Sequence, residues 1–338
     1  MVKQLEALLA AGVEQRIYRD VRAVVRYRGE AVFSGGTVDA DEKFDLASVT
    51  KVMATTALCC RLGVDPELRV GTVFSSAAIA DVSIADLLYH RSGLPAWEPF
   101  FVLRDTREKL VQAALEVKPV ATRGAVALYS DIGFIILGEM LAALYGAPID
   151  VLFKREIAGP MGLRAGYRLV SAPPQERTIS TGGVRPREPA PGQEGMWTIA
   201  SGPSREGDVD DDNAYVMNGV SGHAGIFASA DDVATVGQGV LEGFLLSPLG
   251  WAADKSVCGS TRTFGFDTPS AASPSCGPRF GPRAIGHLGF TGTSLWVDLD
   301  RQLSIALLTN RVIFGRANRQ IHTFRPRFHE AVLDVLDL

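Results

Sequence analysis

The chain has little with which to attract nucleic acid. Its 338 residues include 38 acidic side chains against 34 basic ones, a formal net charge of −4, and no run of Lys or Arg. Without a basic field, nucleic acid is excluded as a partner. There is no apolar stretch of the roughly 20 residues that a membrane helix needs. The opening MVKQLEALLAAGVEQRIYRD spreads charges through an amphipathic helical pattern and lacks the apolar core and cleavage site of a signal peptide. A cytoplasmic protein with no membrane partner is therefore expected. Cysteine is scarce: Cys59 and Cys60 are adjacent, Cys258 and Cys276 stand far off, and no C-x-x-C or zinc spacing occurs. They read as reduced thiols. H-E-x-x-H, the P-loop and a strand-coupled G-x-G-x-x-G are absent, and GVSGH fails as G-x-S-x-G because its fifth residue is His223. Neither metal nor cofactor is implied.

Lysine is also rare, with seven in the chain, and one of them stands where a lysine is costly. In FDLASVTKVMATTALCC the apolar residues Val49, Val52, Met53, Ala57 and Leu58 recur with helical period and leave Lys51 almost without polar company. The pattern predicts a buried helix from Ser48 to Leu62. A buried ammonium must find a partner or give up its proton. Ser48 lies three residues earlier on the same face. A neutral amine there acts as a base toward the hydroxyl and makes it a nucleophile. The plainer alternatives are a lysine that snorkels to the surface or pairs with Asp45.

The rest of the chain organises around this helix. VRAVVRYRGEAVFSGGTVD alternates and turns at Arg28-Gly29, which predicts a β-hairpin. From Ser48 to about Gly162 the signals are mostly helical, with a capping box at Ser83 and Asp86. Residues 164–215 lose periodicity and are rich in Pro, Gly and charge, a candidate wall or lid. A further helix is capped by Ser229 and Asp232. GFTGTSLWVDLDRQLSIALLTNRV then reads as two strands turning at Asp298 to Arg301, and RFHEAVLDVL as a closing helix. The fold class expected is α/β: one antiparallel sheet flanked by helices and shared by both chain ends, with an all-helical insertion. The division follows as 1–47 with 255–338 for the sandwich, and 48–254 for the insertion.

Two more stretches bear on Lys51. LYSDIGF presents Tyr129 and Asp131 ahead of an apolar helix, and GHLGFTGTSLW presents His287 in a glycine-rich turn leading to a strand. Taken singly these are a packing tyrosine and a turn histidine. Taken together, Ser48-Val49-Thr50-Lys51, Tyr129-Ser130-Asp131 and His287-Leu288-Gly289 resemble the S-x-x-K, Y-x-N and K/H-x-G motifs of the serine β-lactamase and penicillin-binding-protein superfamily. Order and spacing are similar to the class C β-lactamase branch, which includes D,D-peptidases and family VIII carboxylesterases. Ser48 begins the only S-x-x-K in the chain, and HRSGLP, PMGL and GVSGHAGIF are similar to the superfamily as well.

The resemblance implies a β-lactamase-like sandwich, a helical insertion and a site between them. It makes Ser48 the acylated nucleophile, with Lys51 and Tyr129 handling its proton. The N–H groups of Ser48 and Phe290 become the oxyanion hole, while Asp131, His287, Leu288 and Gly289 contact substrate. Elsewhere His223 reads as a loop-packing residue and His90 as a helix C-terminal one.

Two departures bear on substrate. Asp131 replaces the usual asparagine and, when ionised, cannot donate to a substrate amide. Leu288 removes a hydroxyl, and His287 is mostly neutral at its ordinary pKa of about 6.5. Both weaken recognition of a carboxylate-bearing lactam or peptide. A carboxylesterase acting on small neutral esters is therefore expected first, a β-lactamase or D-amino-acid peptidase second, and a binding protein without turnover third. The partner is a small-molecule ester, lactam or peptide.

Overall fold

The computed structural model describes residues 2–102, 104–172, 177–182 and 207–338. After helix α1 (Val2–Glu14), strands β1 (Val21–Tyr27) and β2 (Glu30–Gly36) form the expected hairpin. Its turn residues Arg28 and Gly29 have φ of 50° and 87°, as a tight two-residue connection requires. A short β3 (Phe44–Asp45) leads into the helical run Ala47–Arg61, which ends in α2 (Ala57–Arg61). The run is wound unevenly. It opens as a 3₁₀ turn at Ala47–Val49 and widens to a π-helix over Lys51–Thr56, a geometry associated with functional sites. Helices α3 (Ile84–Leu88), α4 (Arg107–Glu116), α5 (Asp131–Tyr145) and α6 (Ile149–Phe153) follow, and Ser83 with Asp86 forms the capping box expected of them.

The aperiodic segment 164–215 holds β4 (Gly166–Tyr167) and α7 (Asp212–Val216), while 173–176 and 183–206 lie outside the described residues. Then come β5 (Ile226–Ala228), α8 (Ala230–Leu241) with its Ser229–Asp232 capping box, β6 (Ala284–Leu288), β7 (Ser294–Asp298), β8 (Leu303–Thr309) and α9 (Ile321–Leu336). Strand β6 corrects the reading of His287 as a turn residue. It pairs with β7 in the register His287↔Leu295. Gly286 and Gly289 interrupt the alternation by which a strand is recognised in sequence.

The main sheet runs β2-β1-β8-β7-β6, antiparallel throughout, so the two chain ends meet at the β1–β8 pair. Successive side chains enter opposite faces. Val21, Ala23, Val25, Leu303, Ile305 and Leu307 pack with α1 and α9, whereas Val24, Ala306, Leu308, Leu295 and Val297 face the larger core. Burial on both faces explains why β8 reads LSIALLT, without polar alternation. Helix α8, which the division at 254 assigns to the insertion, packs on β1, β7 and β8. A second sheet, β3-β5-β4, lies beside the helices. Among the described residues no single helix is long and apolar enough to cross a membrane, and all four cysteines are free.

Candidate active site

Lys51 is fully buried and has found its partner. Its Nζ lies 2.6 Å from Asp131 Oδ1, at the N-terminus of α5. It also donates to Ser48 Oγ at 3.0 Å and to the His223 carbonyl at 3.1 Å, and it hydrogen-bonds Tyr129. Burial pulls the Lys51 pKa down, but the Asp131 carboxylate and Tyr129 outweigh it and hold the pKa above its ordinary value. Of the two forms expected from sequence, a neutral amine or one that shares its proton with Ser48 and Tyr129, these contacts favour a lysine that keeps its proton while bonded to both. Neither plainer alternative holds, since Lys51 does not reach the surface and Asp45 is engaged elsewhere. Asp131, expected to touch substrate, faces the cavity but commits Oδ1 to Lys51.

The backbone that presents Ser48 is strained and tied down. Ala47 adopts φ of 46°, a left-handed conformation that costs a non-glycine residue on the order of 1 kcal/mol. Asp45, 2% exposed, accepts from Ala47 N at 2.8 Å and from Asp210 N at 2.6 Å. Burial, reinforced by the charge of Asp210, pushes its pKa up to about 7. From the sheet side, Thr291 and Thr293 hydroxyls donate to the carbonyls of Asp45 and Leu46 at 2.8 and 2.9 Å. The third motif is thereby fastened to the turn that carries the nucleophile. Gly289 permits the approach: a Cβ there would stand 2.4 Å from Leu46 O and 2.0 Å from Thr293 Oγ1.

Tyr129 hydrogen-bonds both Ser48 and Lys51. Burial raises its pKa, the charge of Lys51 opposing, so the phenol keeps its proton. His287 Nδ1 lies 2.9 Å from the Leu288 carbonyl, which can only accept, so Nδ1 carries the proton. Its Nε2 is a buried acceptor without a hydrogen bond among the described residues. Burial and the charges of Lys51 and Arg262 hold His287 well below its ordinary pKa. It is neutral. His90 departs from its expected role. It accepts from Ser130 N through Nδ1 at 3.0 Å and packs its ring on Tyr129, with centroids 4.6 Å apart. Burial and the charge of Arg262 keep it uncharged, so it anchors the second motif and does not serve a helix dipole.

His223 does more than pack. Its ring bridges Ser221 Oγ at 2.7 Å and Asp211 Oδ1 at 2.9 Å, which fixes the segment whose carbonyl receives Lys51. Gly222 brings that segment onto α5, where a Cβ would stand 2.1 Å from Phe134 O. Asp211 also caps α7, accepting from Ala214 N at 2.8 Å, so nothing in the sequence singled it out for His223.

Ser48, Tyr129, Asp131, His287, Leu288, Gly289 and Phe290 all line one cavity of about 740 Å³. The three motifs therefore converge, as expected. Unforeseen is the rest of the lining, where Trp97, Arg262, Arg311, Arg316, Arg319 and Arg325 also face the cavity. Arg325 left a trace in the sequence: it falls in helical register with Ile321, Phe328 and Val332, a charge at a core position like that of Lys51.

Comparison with known proteins agrees with the fold. Residues 5–324 match the family model described as Beta-lactamase. An N-acetylmuramyl-L-alanine amidase of Bacillus subtilis (strain 168) is 30% identical over 314 residues, covering 79% of this chain and 68% of its own. Among solved structures, EstCE1, described as a hydrolase with promiscuous acyltransferase activity, superposes with a TM-score of 0.71 at 19% identity, covering 96% of this chain and 98% of its own. The octameric penicillin-binding protein homologue from Pyrococcus abyssi gives 0.70 at 15% identity, covering 99% and 77%. With that family model matched across residues 5–324, the chain belongs to the beta-lactamase family of serine hydrolases.

Proposed function

We propose that the protein is a carboxylesterase that works through an acyl-enzyme on Ser48. The observation that carries this reading is the contact of Ser48 Oγ with both Lys51 and Tyr129. As Oγ attacks the ester carbonyl carbon, its proton must leave. Lys51 is already charged, so it must first unload a proton, and Asp131 Oδ1 at 2.6 Å is placed to take it. The freed amine accepts the serine proton at 3.0 Å, and Tyr129 relays a proton to the departing alkoxide. Water then enters as the second nucleophile, giving the carboxylic acid and free Ser48. The N–H groups of Ser48 and Phe290 hold the oxyanion.

The ester preference is supported by the third-motif wall. Leu288 offers no hydroxyl and His287 Nε2 only accepts, so this wall suits the uncharged part of an ester. Until it takes the Lys51 proton, Asp131 has no donor for an amide carbonyl. A second reading, an amide or peptide hydrolase, is favoured by the name of the amidase relative. The reading also takes 1–47 with 255–338 as one lobe, 48–254 as the other, and the cavity as the cleft between them. Four free thiols suit a reducing, cytoplasmic setting. The test is a panel of p-nitrophenyl esters, a chromogenic cephalosporin and D-alanyl peptides, with wild type and Ser48→Ala. Ester turnover that is lost in Ser48→Ala, with a serine-directed phosphonate adduct on Ser48 alone, is expected. Peptide or cephalosporin turnover matching that of the best ester would overturn the esterase reading.

A further inference from the structure

Among the described residues the cavity holds more positive charge than its own carboxylates neutralise. Of the arginines facing it, Arg316 pairs with Asp210 at 2.8 Å and Arg262 lies 3.5 Å from Asp267. Of the acids, Asp131 is taken by Lys51 and Asp211 by His223. Arg311, Arg319 and Arg325 remain, with no carboxylate within ion-pair distance among the described residues. Arg311 spends donors on the carbonyls of Arg316 and Asn318, which orient it without neutralising it. Arg325 is the sharper case. It is 2% exposed, and its Nε is buried without a partner among the described residues. A buried, uncompensated guanidinium is costly.

Its surroundings fit a site awaiting an anion. Burial and the charge of Arg311 push Arg325 down to about 10, so it remains a cation at neutral pH. Burial and the charges of the same arginines lower the neighbouring His322. Phe290 lies between the Arg311 and Arg316 guanidinium groups, 4.7 and 4.3 Å from its ring centre, and its N–H is the proposed oxyanion donor. The cationic cluster is therefore continuous with the reacting centre, and Arg311 adjoins the end of the third motif through Phe290 and its N–H bond to Thr291 O at 3.0 Å.

We propose that the arginine wall of the cavity, Arg325 on α9 with Arg311 and Arg319 from the segment that leads into it, binds a carboxylate carried by the substrate at a distance from its scissile ester. The inference rests on the esterase reading and refines it: the third-motif wall takes the uncharged part of the substrate, and the arginine wall takes a charged end. Guanidinium groups suit this because they present paired donors to carboxylate oxygens and stay charged. The favoured substrates are half-esters of dicarboxylic acids, or esters of carboxylated alcohols.

The test compares matched pairs at equal pH. The mono-p-nitrophenyl ester of adipic acid is set against its methyl-capped analogue for the acyl side, and 4-acetoxybenzoate against its methyl ester for the leaving side, each corrected for spontaneous hydrolysis. Wild type should favour the anionic member of one pair by about 10- to 100-fold in kcat/KM, the span of one or two charge-assisted hydrogen bonds. The preference should shrink as salt rises and fall in Arg325→Met and in the surface variant Arg319→Gln. A ratio near one in both pairs, or a preference unmoved by salt and by Arg319→Gln, overturns the proposal. If Arg325→Met does not fold, salt and Arg319→Gln decide. If wild type hydrolyses neither pair, the esterase reading fails, and binding of monomethyl adipate to Ser48→Ala by calorimetry decides the anion site. Binding that weakens with salt and in the added Arg319→Gln supports it, and no salt-sensitive binding overturns it.

Discussion

Replacing Asp131 with asparagine should make Lys51 a readier base, although it removes a carboxylate from the site. The two groups lie 2.6 Å apart, with Lys51 fully buried and the Asp131 side chain 18% exposed. At an effective dielectric of about 20, unit charges at that separation attract by roughly 6 kcal/mol. Solvent reaching Asp131 screens part of this. If only about a quarter survives, about 1.4 kcal/mol, it is worth one pH unit in the protonation of Lys51. Asparagine keeps the shape and removes the charge, so burial, which lowers the Lys51 pKa, is left to dominate. The limb of kcat/KM that rises as Lys51 loses its proton should move to lower pH by more than one unit. The assay is a pH profile of p-nitrophenyl ester hydrolysis for wild type and Asp131→Asn. If Asp131 is also needed to accept the lysine proton, the plateau falls while the limb still shifts. A limb that stays in place or moves to higher pH would refute the assignment of the Lys51 charge to its pair with Asp131.

Three further outcomes follow from the geometry. Lys51→Arg keeps the charge but cannot release a proton near neutrality, so kcat should fall by about 10²- to 10⁴-fold, and activity within about threefold of wild type would exclude Lys51 as base. Gly289→Ala puts a methyl group 2.4 Å from Leu46 O; ester turnover should drop at least about tenfold with little change in the far-UV spectrum, which wild-type turnover would contradict. Asp45, at about 7 in the fold against about 4 in an unfolded chain, makes the native state bind a proton that the unfolded chain releases. The linked stabilisation is full below about pH 4 and is lost as pH rises through about 7. Thermal melts of wild type should lose stability over that window relative to Asp45→Asn, and parallel curves would exclude the linkage.

Much of the site was legible because chemistry at odds with its surroundings shows in sequence. Lys51 among apolar residues and the spacing from Ser48 announced themselves. The charge state of Lys51 did not, since it depends on which rotamer Asp131 takes, and an aspartate in the place of an asparagine reads equally as a substrate contact. The β1–β2 hairpin and both capping boxes were visible as local chemistry. Strand β6 was hidden by Gly286 within it, which lets Trp296 pack close, and by Gly289 just after it, which lets the chain approach Leu46 of the nucleophile turn. The mixed 3₁₀ and π winding of the Ser48 helix comes from tertiary ties, such as Thr55 donating to Gly222 O at 2.6 Å and Thr50 accepting from Ile226 N at 3.1 Å. No local pattern encodes those. Arg325 was readable by the logic that found Lys51, but the FRPRF sequence that contains it resembles an ordinary charged helix face.

The β1–β8 pairing has a consequence for how the molecule comes into being. Arg19 N and Asn310 Oδ1, joined at the margin of that pair, are 291 positions apart in the chain. On the ribosome the hairpin β1–β2 has no neighbour on the inner edge of β1 until β8 has been made. At about 5 to 20 residues per second that delay lasts tens of seconds, during which the apolar inner edge of β1 stands open. Non-local pairing of this kind folds slowly. Ser48 is likewise made long before Thr291 and Thr293 arrive to fasten its turn, so the hydrolase switches on only when its last strands dock, and a nascent chain stalled before β8 is an aggregation hazard with no activity.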